Sequence, residues 1–337
     1  MKVVYFTESL YPLVDGVSRT LARLFDTLQE EGIDFRIVSP FVPEAGTAAW
    51  GDRVIPVPYA HFPPYPDYRV SRPGGAALRT ALDAFSPDLI HVVSPTPMAV
   101  WAQRYAHQEG RRAVASFHTH FVSYFRYYGV RPLERLGWRG LRWFYRRCAR
   151  VYAPSRTIVR ELESHGIGPV ELWSRGIDLD AFHPGHRDRE LRESIGVDEA
   201  TPILLLVSRL VKEKDLADLV AVDRALRARG VRFHLALVGD GPMRSRLEAG
   251  LPHATFAGHR SGAELARWYA SSDVFVFPST TETLGNVVLE ALASGLPAVV
   301  VDRGGPQDLV AHGFTGFIAP ANDIAAIADR LEHLLED

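Results

Sequence analysis

The sequence predicts an α/β protein built from two doubly wound parallel sheets, and three observations lead there. Short apolar, β-branched runs alternate with helical patterns from one end of the chain to the other, the arrangement of successive βαβ units. At 337 residues the chain is too long for one ordinary core and asks for two domains. A Pro/Gly-rich turn region at 173–185 falls between the two halves of the alternation.

The first strand, 2–7, carries the run Val3-Val4-Tyr5-Phe6 and leads into a helical pattern at 17–31. Strands at 34–39 and 53–57 follow. The proline-rich stretch from His61 to Pro66 then reads as an extended surface loop. Helices at 75–85, 97–109, 133–149 and 156–165 alternate with strands at 88–93, 112–116 and 150–154. In the second half, strands at 203–207, 233–238, 274–277 and 297–301 alternate with helices at 215–229, 243–249, 262–271, 285–294 and 322–335. The runs are nearly continuous in apolar residues, as strands covered on both faces must be. The expected division is a first domain at 1–172, a linker at 173–185 and a second domain at 186–337. Gly239-Asp240-Gly241-Pro242 follows a strand but lacks the third glycine of the dinucleotide fingerprint. Pro242 suits the first turn of the next helix.

Composition bounds the function. Hydrophobic residues make up 47% and charged residues 23% of the chain, as in soluble globular proteins. No apolar run approaches the ~18–20 residues that span a bilayer. Met1-Lys2 leads straight into a strand, without the layout of a signal peptide. The single cysteine, Cys148, excludes an internal disulfide framework and fits a reducing cytoplasm. It stands at helical spacing from Leu141 and Phe144, which makes it a core residue rather than a nucleophile. Net charge is −2, but residues 1–180 hold 22 Lys/Arg against 18 Asp/Glu and the remainder holds 16 against 22. Two of the three lysines, Lys212 and Lys214, share one short stretch; the third is Lys2.

The most informative stretch is 278–297. Glu282 lies in a Ser/Thr-rich loop after the run Val274-Phe275-Val276-Phe277, and Glu290 lies eight positions on, inside an Ala/Leu/Val segment of helical character. A helix starting near Leu284 and Gly285 turns its free N–H groups back into that loop, which is an anion site. Eight residues of helix span ~12 Å, too far for an acid/base pair. The two acids suit the ends of one elongated ligand with an anionic middle, the layout of a nucleotide sugar. A second cationic stretch, Arg209 to Lys214, follows the strand 203–207. There the arginine offers a bidentate fork and Lys214 a point charge, at the sheet edge where open α/β folds bind ligands.

Glu282 and Glu290 resemble the E-x7-E motif of retaining GT-B glycosyltransferases of family 4. Further pieces are Asp15-Gly16-Val17, Phe117-His118-Thr119-His120, Gly176-Ile177-Asp178 with Phe182-His183-Pro184, Ser208 to Lys214, Val238 to Pro242, and Gly304-Gly305. The resemblance covers nearly the whole chain. It implies a GT-B fold, two Rossmann-like doubly wound domains facing across a cleft. The first domain would bind the acceptor and the second a nucleoside diphosphate sugar. It implies transfer of a hexose with retention, by same-face attack in which the leaving phosphate takes the acceptor's proton. By resemblance, Arg209 and Lys214 bind and stabilise the diphosphate, and Glu282, Leu284, Gly285 and Glu290 hold the donor. Gly16 would contact donor or acceptor from the first domain, and His118 would approach the transferred sugar. His120 is left as structural. The base would be read around 256–260, with Gly239, His259 and Arg260 nearby. Mannosyltransferases and glycolipid glucosyltransferases look most similar, so GDP-mannose and UDP-glucose are the expected donors. The acceptor is a lipid or saccharide.

Two features depart from that family: Ser208 stands where glycine is usual, and the sequence stops at Asp337 after a single amphipathic helix, so the family's final crossover helix is either absent or the chain has been shortened. A nucleotide-sugar epimerase of the same fold, a phosphorylase, or a non-catalytic nucleotide-sugar-binding protein remain alternatives. The i,i+2 pair His118 and His120 has no further ligand of suitable spacing. Asp178-Leu179-Asp180 is formally a D-x-D but falls in the linker, so no metal and no cofactor are expected.

The segment 124–150 is dense in arginines and aromatics, including Tyr128. An apolar stripe of Leu133, Leu136, Leu141, Phe144 and Cys148 is expected on its helix, with Arg135, Arg139, Arg142 and Arg146 on another face. With Trp138 and Trp143, this basic amphipathic helix suits an anionic membrane surface, at the inner face of the cytoplasmic membrane. A solvated, arginine-rich scaffold helix is the plain alternative. Nucleic-acid binding fits the charge, but nothing else in the sequence supports it.

Overall fold

The computed structural model describes residues 1–62, 65–127, 129 and 131–336. Contacts divide the chain into two units, one of residues 1–122 and 132–175, the other of residues 123–131 and 176–337.

The first unit runs β1 (Lys2–Phe6), α1 (Gly16–Glu30), β2 (Asp34–Ser39), β3 (Val54–Pro56), β4 (Tyr59–Phe62), β5 (Tyr65–Ser71), α2 (Ala76–Phe85), β6 (Leu89–Val92), α3 (Pro97–Gln108) and β7 (Arg112–Ser116). A short helix, α4 (Phe121–Tyr127), passes into the second unit; α5 (Glu134–Tyr145), β8 (Arg150–Ala153), α6 (Arg156–Ser164) and β9 (Val170–Leu172) complete the first. Seven of its nine strands form a parallel sheet in the order β3-β2-β1-β6-β7-β8-β9. Tyr5, Phe25, Phe35 and Trp50 form an aromatic core on one face. The Pro-rich stretch expected as a loop is instead largely an antiparallel hairpin, pairing Tyr59 with Ser71 and His61 with Arg69. Pro63 and Pro64 lie outside the described residues, as does Tyr128.

The second unit runs α7 (Arg189–Ser194), β10 (Ile203–Val207), α8 (Leu216–Ala228), β11 (His234–Val238), α9 (Arg244–Gly250), β12 (Thr255–Gly258), α10 (Gly262–Ala270), β13 (Val274–Phe277), α11 (Asn286–Ala293), β14 (Ala298–Val301), β15 (Gly316–Ala319) and α12 (Ile324–Glu336). The parallel order is β12-β11-β10-β13-β14-β15, the 3-2-1-4-5-6 arrangement of a Rossmann sheet. β10, β13 and β14 are buried at every residue, because helices cover both faces. One core packs α8 and α12 against one face; the other packs α10 and α11 against the opposite face.

At its N-terminal edge this sheet is tied by a buried cation. Arg192, 1% exposed, donates from Nη1 to the Asp273 carboxylate at 2.9 Å and to the Ser271 carbonyl at 2.8 Å. Its Nη2 donates to the carbonyls of Asp198 and Thr201. Asp273 in turn accepts from the Ile203 backbone N–H at the start of β10.

Candidate active site

In an open parallel sheet a ligand site forms beyond the C-terminal strand ends, where the strand order reverses. In the second unit that point lies between β10 and β13. The loops leaving those strands carry Arg209, Lys214 and Glu282, so the topology brings together residues 68 positions apart. The loops are stitched by side chains. Thr281 Oγ1 donates to the Glu213 carbonyl at 2.8 Å. Asp215 Oδ2 accepts from the N–H and hydroxyl of Thr280, at 2.9 and 2.8 Å. Its Oδ1 accepts from the Tyr127 hydroxyl at 2.7 Å. Asp215 adopts a left-handed φ of 54°, a conformation aspartate tolerates and these bonds hold in place.

Lys214 and Glu282 form an ion pair within this frame. The ammonium is largely buried, whereas neighbouring Lys212 is exposed. Arg209 is exposed, and among the described residues no carboxylate pairs with its guanidinium. The site therefore holds one compensated cation and one that can meet an anion from solvent.

Glu282 is fixed from behind by Gly304-Gly305. The Gly305 N–H donates to the Glu282 carbonyl at 2.8 Å. A Cβ on Gly305 would stand 2.1 Å from the Thr283 carbonyl oxygen, so no larger residue lets the loop after β14 lie this close. Leu284 is buried, and Gly285, at φ 93°, turns the chain into α11. In the first turn of α11 the Val288 N–H donates to the Gly285 carbonyl at 2.9 Å, and the N–H groups ahead of it precede the carbonyls of the helix. Glu290, on the next turns of α11, is 7% exposed and accepts from the buried Tyr269 hydroxyl at 2.9 Å.

The nucleobase candidates separate. His259 and Arg260 lie exposed in the loop after β12. Gly239 has a local packing reason: a Cβ there would come 1.8 Å from the Ser208 carbonyl oxygen, so it lets the loops after β10 and β11 interlock.

In the first unit, Gly16 opens α1, but that helix end is already capped. Asp15 Oδ1 accepts from the N–H groups of Val17 and Ser18, at 2.8 and 2.7 Å. A carboxylate thus occupies the place where an anion would sit. Glu8, in the loop after β1, is buried; burial pushes its carboxyl up to about 7, against the hydroxyls of Thr96 and Ser71, which pull it down. His118 follows β7 and is held well below the usual imidazole range by burial and by the adjacent Arg175 guanidinium. Arg175 Nη2 lies 2.9 Å from His118 Nδ1, and its Nη1 approaches the Gly16 carbonyl at 3.5 Å. One arginine thus links both first-unit candidates. His120 is buried between Phe117 and Trp138, with Nε2 2.9 Å from Glu161.

Among the described residues, no group of three or more His, Cys, Asp or Glu side chains forms a metal-binding cluster. In the D-x-D stretch, Asp178 Oδ1 accepts from the N–H groups of Asp180 and Ala181, which makes it a turn. Cys148 is buried beside Gln103, and burial pushes its thiol up to about 11.

Three expectations for the basic helix are corrected. Trp138 does not face outward: it is buried and stacks on the His165 ring at 3.7 Å. Leu133 and Leu136, expected on the buried stripe, are 48% and 62% exposed. The buried stripe is Trp138, Leu141, Phe144 and Tyr145, and α5 ends at Tyr145 rather than 149. Exposed Leu133, Leu136 and Trp143 instead share the outer surface with Arg135, Arg139 and Arg146. Arg142 is anchored, its Nε donating to the His165 carbonyl at 2.7 Å.

Sequence reasoning missed Arg175, Tyr127, Asp215 and Tyr269. Only Asp215 carried a signal, its place directly after Lys214.

Two family models match the chain: "Glycosyltransferase Family 4" over residues 14–181 and "Glycosyl transferases group 1" over residues 201–337. A GDP-mannose-dependent alpha-mannosyltransferase of Mycobacterium tuberculosis is 35% identical over 100% of this chain and 89% of its own length. The sulfoquinovosyl transferase SQD2 of Arabidopsis thaliana is 33% identical over 100% of the chain and 67% of its own length. Among solved structures, sucrose-phosphate synthase from Thermosynechococcus elongatus superposes with a TM-score of 0.78 at 20% identity, covering 100% of this chain and 90% of that one. Anabaena HepE, in complex with UDP and glucose, gives 0.75 at 20% identity, covering 100% and 90%. The chain belongs to glycosyltransferase family 4, as a GT-B hexosyltransferase that uses a nucleotide sugar.

Proposed function

We propose that the enzyme transfers mannose or glucose, with retention of α configuration and without a metal, from GDP-mannose or UDP-glucose to a lipid or saccharide acceptor. The observation that carries this reading is the switch point of the second sheet, where the loops after β10 and β13 carry Arg209, which pairs with no carboxylate among the described residues, the Lys214–Glu282 pair and the start of α11. Arg209 and the α11 N–H groups receive the diphosphate. Lys214, held by Glu282, lies beside it, and Glu282 offers its carboxylate to hexose hydroxyls. Glu290, oriented by Tyr269, takes the ribose.

In the reaction, the acceptor oxygen bonds to the anomeric carbon as the bond from that carbon to the phosphate oxygen breaks. The hydroxyl proton passes to the leaving phosphate. Stabilising the charge on that phosphate is the main contribution of the side chains. The GDP-mannose-dependent relative favours mannose; an alpha-monoglucosyldiacylglycerol synthase of Streptococcus pneumoniae, 27% identical, favours glucose and a lipid acceptor.

A panel of nucleotide sugars tests the donor. The true donor at 100 times its dissociation constant is expected to stabilise the fold by ~2.7 kcal/mol, with or without EDTA. Stabilisation by none of them refutes the reading, and activity that needs added manganese refutes the metal-free step.

The exposed face of α5 supports an acceptor at an anionic membrane surface. No helix among the described residues is long and apolar enough to cross a membrane. Interfacial arginines contribute ~1 kcal/mol each near anionic lipid, and Leu133, Leu136 and Trp143 supply the apolar contact. The protein is expected to co-sediment with anionic vesicles and not zwitterionic ones, with release as salt rises. Charge reversal at Arg135, Arg139 and Arg146 is expected to abolish co-sedimentation and leave nucleotide affinity intact. Wild-type protein that stays in the supernatant at low salt would instead indicate a soluble saccharide acceptor.

A further inference from the structure

We propose that Arg175 is a positioning residue for transfer, fixing His118 in the tautomer that carries its proton on Nε2 and so presents a hydrogen-bond donor to the hexose. This rests on the reading of His118 as a sugar contact. A guanidinium has five N–H donors and no acceptor. At 2.9 Å from Arg175 Nη2, His118 Nδ1 can only accept. A neutral imidazole that accepts at Nδ1 bears its proton on Nε2. Burial and the neighbouring cation both oppose a second proton, and His91 acts in the same direction.

The contact is held from several sides. Trp173 packs edge-on against His118 with ring centres 5.8 Å apart, and against His91 and Tyr152 at 6.0 Å each. The Trp173 N–H donates to the Ala153 carbonyl, which anchors the chain two residues before Arg175. The second arm of the guanidinium reaches toward Gly16 at the start of α1. An imidazole locked as an Nε2–H donor cannot take up a proton there. It therefore cannot serve as the base, which agrees with the leaving phosphate accepting the acceptor's proton.

The test reads the tautomer directly. In protein labelled with ¹⁵N-histidine, the ring nitrogen shifts of His118, assigned by their loss in His118→Gln, are expected to show the Nε2–H form. Arg175→Glu offers an acceptor to Nδ1 and is expected to convert His118 to the Nδ1–H form. It should also lower release of nucleoside diphosphate from GDP-mannose or UDP-glucose by about tenfold or more, with unchanged calorimetric affinity for free GDP or UDP. Arg175→Lys keeps a donor-only group and is expected to restore the Nε2–H form and most of the turnover. An Nδ1–H tautomer in the wild type overturns the proposal, whether or not the variants fold. Full turnover in Arg175→Glu beside impaired His118→Ala also overturns it. If His118→Ala itself turns over like wild type, the sugar-contact reading fails first and the proposal fails with it.

Discussion

Arg209→Ala and Lys214→Ala are each expected to lower turnover by ~10²–10³, the effect of removing a charge-assisted contact that tightens on a leaving oxyanion. The two should differ in character. Arg209 is exposed and unpaired by any described carboxylate, so its loss removes stabilisation from the departing diphosphate and falls mainly on kcat. Removing Lys214 strips Glu282 of its counter-ion. The donor then approaches an uncompensated carboxylate, and KM rises as kcat falls. Lys212, exposed on the same turn, is the control, and Lys212→Ala should stay near wild type. Steady-state release of nucleoside diphosphate measures all three. Equal losses at Lys212 and Lys214 would show that the charged face has been assigned wrongly.

Arg192→Ala is expected to cost ~3–5 kcal/mol of stability, because removing this buried guanidinium leaves three backbone carbonyls without their charged donor. The carbonyls of Ser271, Asp198 and Thr201 lose the guanidinium together, whereas the half-buried Asp273 carboxylate keeps Arg187 and the Ile203 N–H. For a unit of this size the melting temperature should fall by roughly 6–20 °C. These groups precede β10 and β13, at the opposite edge of the sheet from Arg209 and Lys214. Donor affinity at low temperature should therefore survive. Arg189→Ala breaks an exposed pair with Glu193 on the same helix and should change stability by less than about 1 kcal/mol. A melting temperature unchanged in Arg192→Ala would mean that water replaces the guanidinium without penalty.

Much of this was legible in the sequence, for a physical reason. Strands buried on both faces must be apolar throughout, so β10, β11, β13 and β14 stand out as runs. The loops that leave such strands are where an open α/β fold gathers its site, and Arg209, Lys214 and Glu282 stand on them, with Glu290 in the helix that follows. Besides the hairpin β4–β5, the unread strands β9, β12 and β15 are short and lie at sheet edges, where one partner suffices and no long apolar run is needed. The phase of α5 was misjudged because it carries apolar residues on two faces. Trp138 and Leu141 answer to the core, and Leu133 and Leu136 do not. Contacts made at long range left no local mark. Tyr127 meets Asp215 and Thr280 across 88 and 153 residues, and Arg175 meets His118 across 57.

The membership of residues 123–131 in the second unit has a consequence for how the gene can be divided. Tyr127 is encoded in the first half yet donates to Asp215 in the second. A single cut at the obvious boundary after Arg175 would sever the polypeptide where the spatial parts do not separate. A fragment starting at Gly176 would lack one of the groups that hold Asp215 in its left-handed turn. Recombination that exchanges whole halves between relatives of different sugar preference must therefore carry this nine-residue segment along, or match it to its new host. The two domains are modular in architecture but not as interchangeable cassettes of sequence.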